Sequence, residues 1–263
     1  MGILSSKESF RSTPNQEIKD LNPPLSGKDG MMALNKAEVI DGYRQQIELS
    51  SSNRMARTTL KYVPAVYIVK KKIPPTTAPW PYGQIVWMDS DCDNNLPHTR
   101  PPNLICLSKD INPSSINSIV LHERVHLSQR LYPSEWAKLF RDYWSMTQWD
   151  GDIPADILLR RRLNPDTIIA PLFIWKNEYV PLALFNSLTM PKLTNVDIVW
   201  WKPSTRTLHR ESPEGWEEFF GSIHSGHEHP FEMSAYLVQN GDDSINAYKV
   251  IKDQLDKIPK RLL

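Results

Sequence analysis

Apolar positions along the chain recur with different periods, and each period predicts an element. Residues 31–50 carry apolar side chains at helical spacing (Met32, Leu34, Val39, Ile40, Tyr43), which predicts a helix packed on the domain. Residues 60–70 (LKYVPAVYIVK) read as a strand broken at Pro64, and a proline-rich loop follows over 74–83. Two short apolar runs, 84–88 (QIVWM) and 103–107 (NLICL), read as strands separated by a turn-rich stretch, 89–102, in which His98 is a loop residue. Asn112-Pro113-Ser114-Ser115 opens a helix over about 116–130 with a serine as N-cap, and a second helix covers 135–148. Residues 172–175 and 179–185 flank Lys176-Asn177-Glu178 as one hairpin signal, and 196–201 with 206–209 form a second. Pro230 suits the first position of a helix over 230–239 that stops before Gly241, and a last helix over 244–257 has Asp243 as N-cap. The order of arm, strands, paired helices, hairpins and helices is an α+β pattern, with no internal repeat. It divides into a polar arm plus one packed helix (1–59) and a main domain (60–263).

Composition narrows the function classes. Hydrophobic residues make up 40% of the 263, enough for a core. The 31 Lys and Arg nearly cancel the 30 Asp and Glu, so nothing points to nucleic acid as a partner. Nine tryptophans, most from residue 136 onward, predict a thick aromatic core with a few surface anchors. Cys92 and Cys106 are too few for a disulfide framework and read as free thiols of a reducing, intracellular compartment. No signal-peptide pattern and no membrane-length apolar run occurs. The first residues, Met1-Gly2-Ile3-Leu4-Ser5-Ser6, fit the acceptor pattern for N-myristoylation at Gly2, which would add a weak, reversible membrane anchor.

The chemistry concentrates in Leu121-His122-Glu123-Arg124-Val125-His126-Leu127. Four residues make slightly more than one helical turn, so His122 and His126 project from one face and can share one Zn²⁺. Glu123 lies about 100° around the helix from His122, beside such a metal without having to bind it. From there it can take a proton from a metal-bound water and pass it to a leaving amine.

This HExxH pattern resembles that of the zincin metallopeptidases; the likeness covers the signature helix and, more loosely, the strands before it. Arg124 departs from it, standing where the family usually has an uncharged residue. The metzincin continuation is excluded, because Gln129 and Tyr132 stand where that subclass has Gly and His. The resemblance implies a zincin-like domain over 60–263 that cleaves a peptide or protein substrate using one zinc ion. It also implies an edge strand that pairs with an extended substrate, for which 103–107 is the candidate. Gluzincins complete the metal site with a glutamate on a second helix and a small residue three places later, which here matches Glu232 with Ala235. His227 and His229 remain alternative third ligands. Tyr236, one turn after Glu232, is a candidate transition-state donor, with Tyr179, His209 and His227 as others. The competing reading is a catalytically silent zincin-like module serving a structural or interaction role.

Overall fold

A computed structural model describes residue 25 and residues 27–57, 81, 83–89 and 92–258. The proposed strand over 60–70, the N-terminal arm up to residue 24 and the Gly2 acceptor lie outside the described residues. The fold is α+β, with small sheets and C-terminal helices.

Three helices open the described chain: α1 (Gly27–Asp41), α2 (Tyr43–Leu49) and α3 (Ser51–Met55). The single helix expected over 31–50 therefore starts earlier and breaks at Gly42, whose φ of 56° belongs to the left-handed region. The first sheet comprises β1 (Gln84–Met88), β2 (His98–Arg100) and β3 (Leu104–Ser108) in the order β1-β3-β2. β1 runs parallel to β3 and β2 antiparallel to it.

That order corrects two expectations. The 103–107 strand is central rather than an edge, and the stretch read as a loop contains β2, with His98 at its start. β2 escaped detection because its His-Thr-Arg sequence has no apolar alternation. Its burial rests instead on ion pairs, with the Arg100 guanidinium reaching Asp41 at 2.6 Å and Glu38 at 2.9 Å on α1.

The sheet is covered on both faces, which explains why β1 and β3 read as continuous apolar runs. Val86, Met88, Leu104 and Cys106 pack against Leu34, Ala37, Tyr43 and Ile47 of α1 and α2. Ile85, Trp87, Ile105 and Leu107 pack against Ile116, Val120 and Leu127 of α4 (Ile116–Leu131). The two cysteines are buried and unlinked.

The start of α4 differs in detail from expectation. Asn112 caps a 3₁₀ turn (Pro113–Ser115) by accepting from the Ser114 N–H, and Ser115 makes no side-chain cap bond. Its neighbour α5 (Pro133–Trp144) ends at Ser145, which takes a left-handed conformation, so 146–148 belong to β4 (Met146–Trp149) rather than to a helix. A short α6 (Ala155–Arg160) precedes β5 (Leu172–Trp175).

β5 pairs with β4, whereas β6 (Val180–Phe185) pairs with β7 (Val196–Lys202). The turn at Lys176 and Asn177 forms as expected, both with positive φ, but only the Trp175–Tyr179 bridge joins its arms before they enter different sheets. The second hairpin forms between β7 and β8 (Thr207–His209). After α7 (Trp216–Phe220) comes α8 (Pro230–Asn240), with Pro230 in its first turn and Gly241 at its end, as the sequence predicts. The last expected helix is shorter: α9 (Asn246–Ile251) follows Ile245, and the Asp243 side chain does not cap it.

The tryptophans form the expected aromatic core. Trp136, Phe140, Trp144, Trp175, Trp200, Trp216 and Phe220 are buried together between the second and third sheets and α5, α7, α8 and α9. Among the described residues, no helix is long and apolar enough to cross a membrane.

Candidate metal centre

From His122 to Gln129, α4 is buried without interruption. A helix carrying His, Arg, Ser and Gln through an interior needs partners for them. Arg124, the departure from the family pattern, donates from Nε to the Pro81 carbonyl at 3.0 Å. Ser128 accepts from the Trp136 indole at 3.1 Å. The two histidines are held by glutamines: Nδ1 of His126 lies 2.7 Å from Gln129 Oε1, and Nδ1 of His122 lies 3.0 Å from Gln239 Oε1. The Gln129 amide nitrogen donates to the Phe231 carbonyl, which fixes its oxygen toward His126. Both Nδ1 atoms therefore carry the hydrogen, and both Nε2 lone pairs point away from the glutamines.

Those lone pairs converge. The two Nε2 atoms stand 3.0 Å apart, and the Glu232 carboxylate on α8 approaches them at 3.5 Å (His122) and 3.4 Å (His126). Three acceptors this close repel one another unless a cation or a proton sits among them. Bonds of 2.0–2.1 Å in tetrahedral geometry would place ligand atoms about 3.3 Å apart, and the observed separations bracket that spacing. His122, His126 and Glu232 thus fit the His₂Glu set that leaves one position open. Without a metal, a proton serves the same purpose. Burial opposes a charged His126, but Glu232 and Asp166 push it up to about 10. Burial likewise opposes ionised Glu232, while His126 and His122 hold its carboxyl well below the usual range.

Packing of α8 on α4 brings Glu232 into reach, and Ala235, fully buried behind it, keeps that approach close. Glu232 Oε1 also accepts from Asn164 at 2.8 Å, and the same amide donates to Glu228, which Arg162 grips at 2.7 Å.

Glu123 is buried beside the triad, and its Oε2 has no hydrogen-bond partner. Burial, reinforced by Asp166, pushes its carboxyl well above the ordinary value, with His126 pulling the other way. A cavity of about 320 Å³ opens onto His122, Glu123, Glu232 and Tyr236. Tyr236 stacks edge-on against His122, with ring centroids 4.6 Å apart. A side chain at Gly226 would sit 2.5 Å from the Tyr236 ring, so only glycine lets that turn close behind it. Burial, with Glu232 nearby, raises the Tyr236 hydroxyl to about 12, so it remains a donor.

The other candidates are engaged elsewhere. His229 caps α8, its Nδ1 accepting from Phe231 and its Nε2 donating to the Pro171 carbonyl at 2.9 Å. His227 accepts the Trp216 indole N–H at 3.0 Å. Neither joins the acceptor cluster. Tyr179 and His209 pack on each other and do not line the cavity. The sequence reading missed Gln129 and Gln239; the available signal was weak, Gln129 standing three residues from His126 on one helix and Gln239 seven residues from Glu232. Asn164 and Asp166 carried no signal, because a loop distant in sequence delivers them.

Two buried histidines, His227 and His229, make a pH prediction. Burial pushes His229 down to about 4 and His227 to about 3, whereas an unfolded histidine titrates near ~6.5. The unfolded chain then binds more protons below ~6.5, so stability is intact above that pH and falls as pH drops toward the folded values. For His229 alone the loss reaches about 3 kcal/mol. Unfolding curves at a series of pH values are expected to show a shallower decline in His229→Asn, which keeps the cap acceptor.

No family model, no curated protein and no solved structure matches the chain.

Proposed function

We propose that this chain is a zinc-dependent peptidase of the zincin type, with Glu123 as general base and His122, His126 and Glu232 as metal ligands. The observation that carries this reading is the convergence of two tautomer-fixed Nε2 atoms and one carboxylate within 3.5 Å. The unbonded Glu123 oxygen beside them adds to it. Zinc bound there would lower the pKa of a water to about 7 and polarise the scissile carbonyl. Glu123 takes the proton of the attacking water and delivers it to the departing amine. Tyr236 offers its hydroxyl hydrogen to the developing oxyanion from the cavity wall. Gln129, Gln239 and Asn164 hold the ligand side chains in their binding orientation.

Metal analysis tests the foundation. The purified chain is expected to hold about one zinc, and His126→Ala close to none. A parent without zinc ends this reading.

A further inference from the structure

A strand at the edge of a sheet exposes main-chain groups that a substrate can pair with. At the middle of β2 those groups are already bonded. The Thr99 N–H donates to Asp166 at 2.7 Å, and the Thr99 hydroxyl reaches the same carboxylate oxygen at 2.6 Å. The Thr99 carbonyl accepts from Arg130 at 3.2 Å. The cover is itself fixed: Asp166 N–H donates to the Asn164 side chain, and Arg130 also bonds the carbonyls of Pro165 and Asp166. Among the described residues, the Asp166 carboxylate therefore occupies the Thr99 N–H on the side of β2 away from β3, where an extended peptide would otherwise pair. The same segment supplies Asn164, Pro165 and Asp166 to the cavity wall.

The far side of the cavity is also built from fixed groups. Arg57 donates to Asp93 at 3.0 Å and to the Tyr43 hydroxyl at 2.9 Å, and all three residues are buried and line the space. At about 320 Å³ the cavity falls at the low end of ligand-pocket sizes.

We infer that the site accepts short peptides of a few residues rather than extended polypeptide segments. This rests on the peptidase reading above and adds the substrate class. Long substrates would have to displace the Asp166 and Arg130 bonds from Thr99 before pairing. Short ones need no pairing at Thr99 and can be held by side chains on the cavity wall.

The test uses the zinc-loaded parent with random-sequence tetrapeptides, random-sequence dodecapeptides and denatured casein, products being read by mass spectrometry. Cleavage of tetrapeptides with little or none of the longer probes is the expected result. Equal or preferential cleavage of dodecapeptides or casein overturns the substrate class and leaves the peptidase reading standing. No cleavage of any probe by zinc-loaded protein overturns the peptidase reading and this inference with it. In Asp166→Gly, which frees the Thr99 N–H, the dodecapeptide-to-tetrapeptide ratio of kcat/KM is expected to rise roughly fivefold, the worth of one main-chain hydrogen bond. An unchanged ratio in folded variant counts against the cover; if that variant does not fold, the parent's length preference decides.

Discussion

Glu123→Gln is expected to keep its zinc and lose peptide hydrolysis by roughly 10²–10⁴-fold in kcat. Glutamine matches the size of glutamate but does not accept a proton as a base. The proposed ligand set lies elsewhere, on His122, His126 and Glu232, so metal content should equal that of the parent. The substitution keeps the size of the side chain and leaves a neutral polar group in the same buried place. Thermal stability should therefore hold while turnover collapses. Equal turnover in parent and variant would remove Glu123 from the chemistry. A zinc-loaded parent inactive on all peptides would favour the silent zincin-like module.

Trp216→Ala is the change expected to damage the fold most. Its ring lies against Trp175 of β5, Trp200 of β7 and Phe220, with centroids 5.2, 5.5 and 4.6 Å away. One side chain thus joins two sheets to α7. Truncation leaves a cavity among rigid aromatics and deprives buried His227 of its indole donor. Large aromatic deletions of this kind cost about 3–5 kcal/mol, and the lost hydrogen bond adds to that. In a domain of this size the melting temperature should fall by roughly 10 °C or more. Trp216→Phe separates the two contributions, since it refills much of the space without restoring the donor. A melting curve unchanged in the alanine variant would contradict the core described.

The helical signature was readable because it is local. His122, Glu123 and His126 stand within one turn, and helix geometry alone dictates that the two imidazoles share a face. The third member of the His122–His126–Glu232 cluster was readable only through resemblance, and His227 and His229 could not be discarded by inspection. Their exclusion depends on what the folded chain offers them: a helix N-terminus and the Pro171 carbonyl for one, the Trp216 indole for the other. β2 was missed for the same kind of reason. Its three residues are polar, and Asp41 and Glu38 that neutralise Arg100 come from a helix about sixty positions earlier.

By itself the chain's order of residues determined the α+β class, strand β1, the extents of α4 and α8, the tryptophan core and the HExxH pair. All of these follow from backbone periodicity and side-chain hydrophobicity, which act over a few residues. Tertiary structure decided which strands pair, which tautomer each histidine holds, which of three candidates joins the two histidines, and that Asp166 bonds the Thr99 N–H of β2. Those outcomes depend on partners brought together by burial, and a buried polar group selects its partner by position in space rather than by distance along the chain.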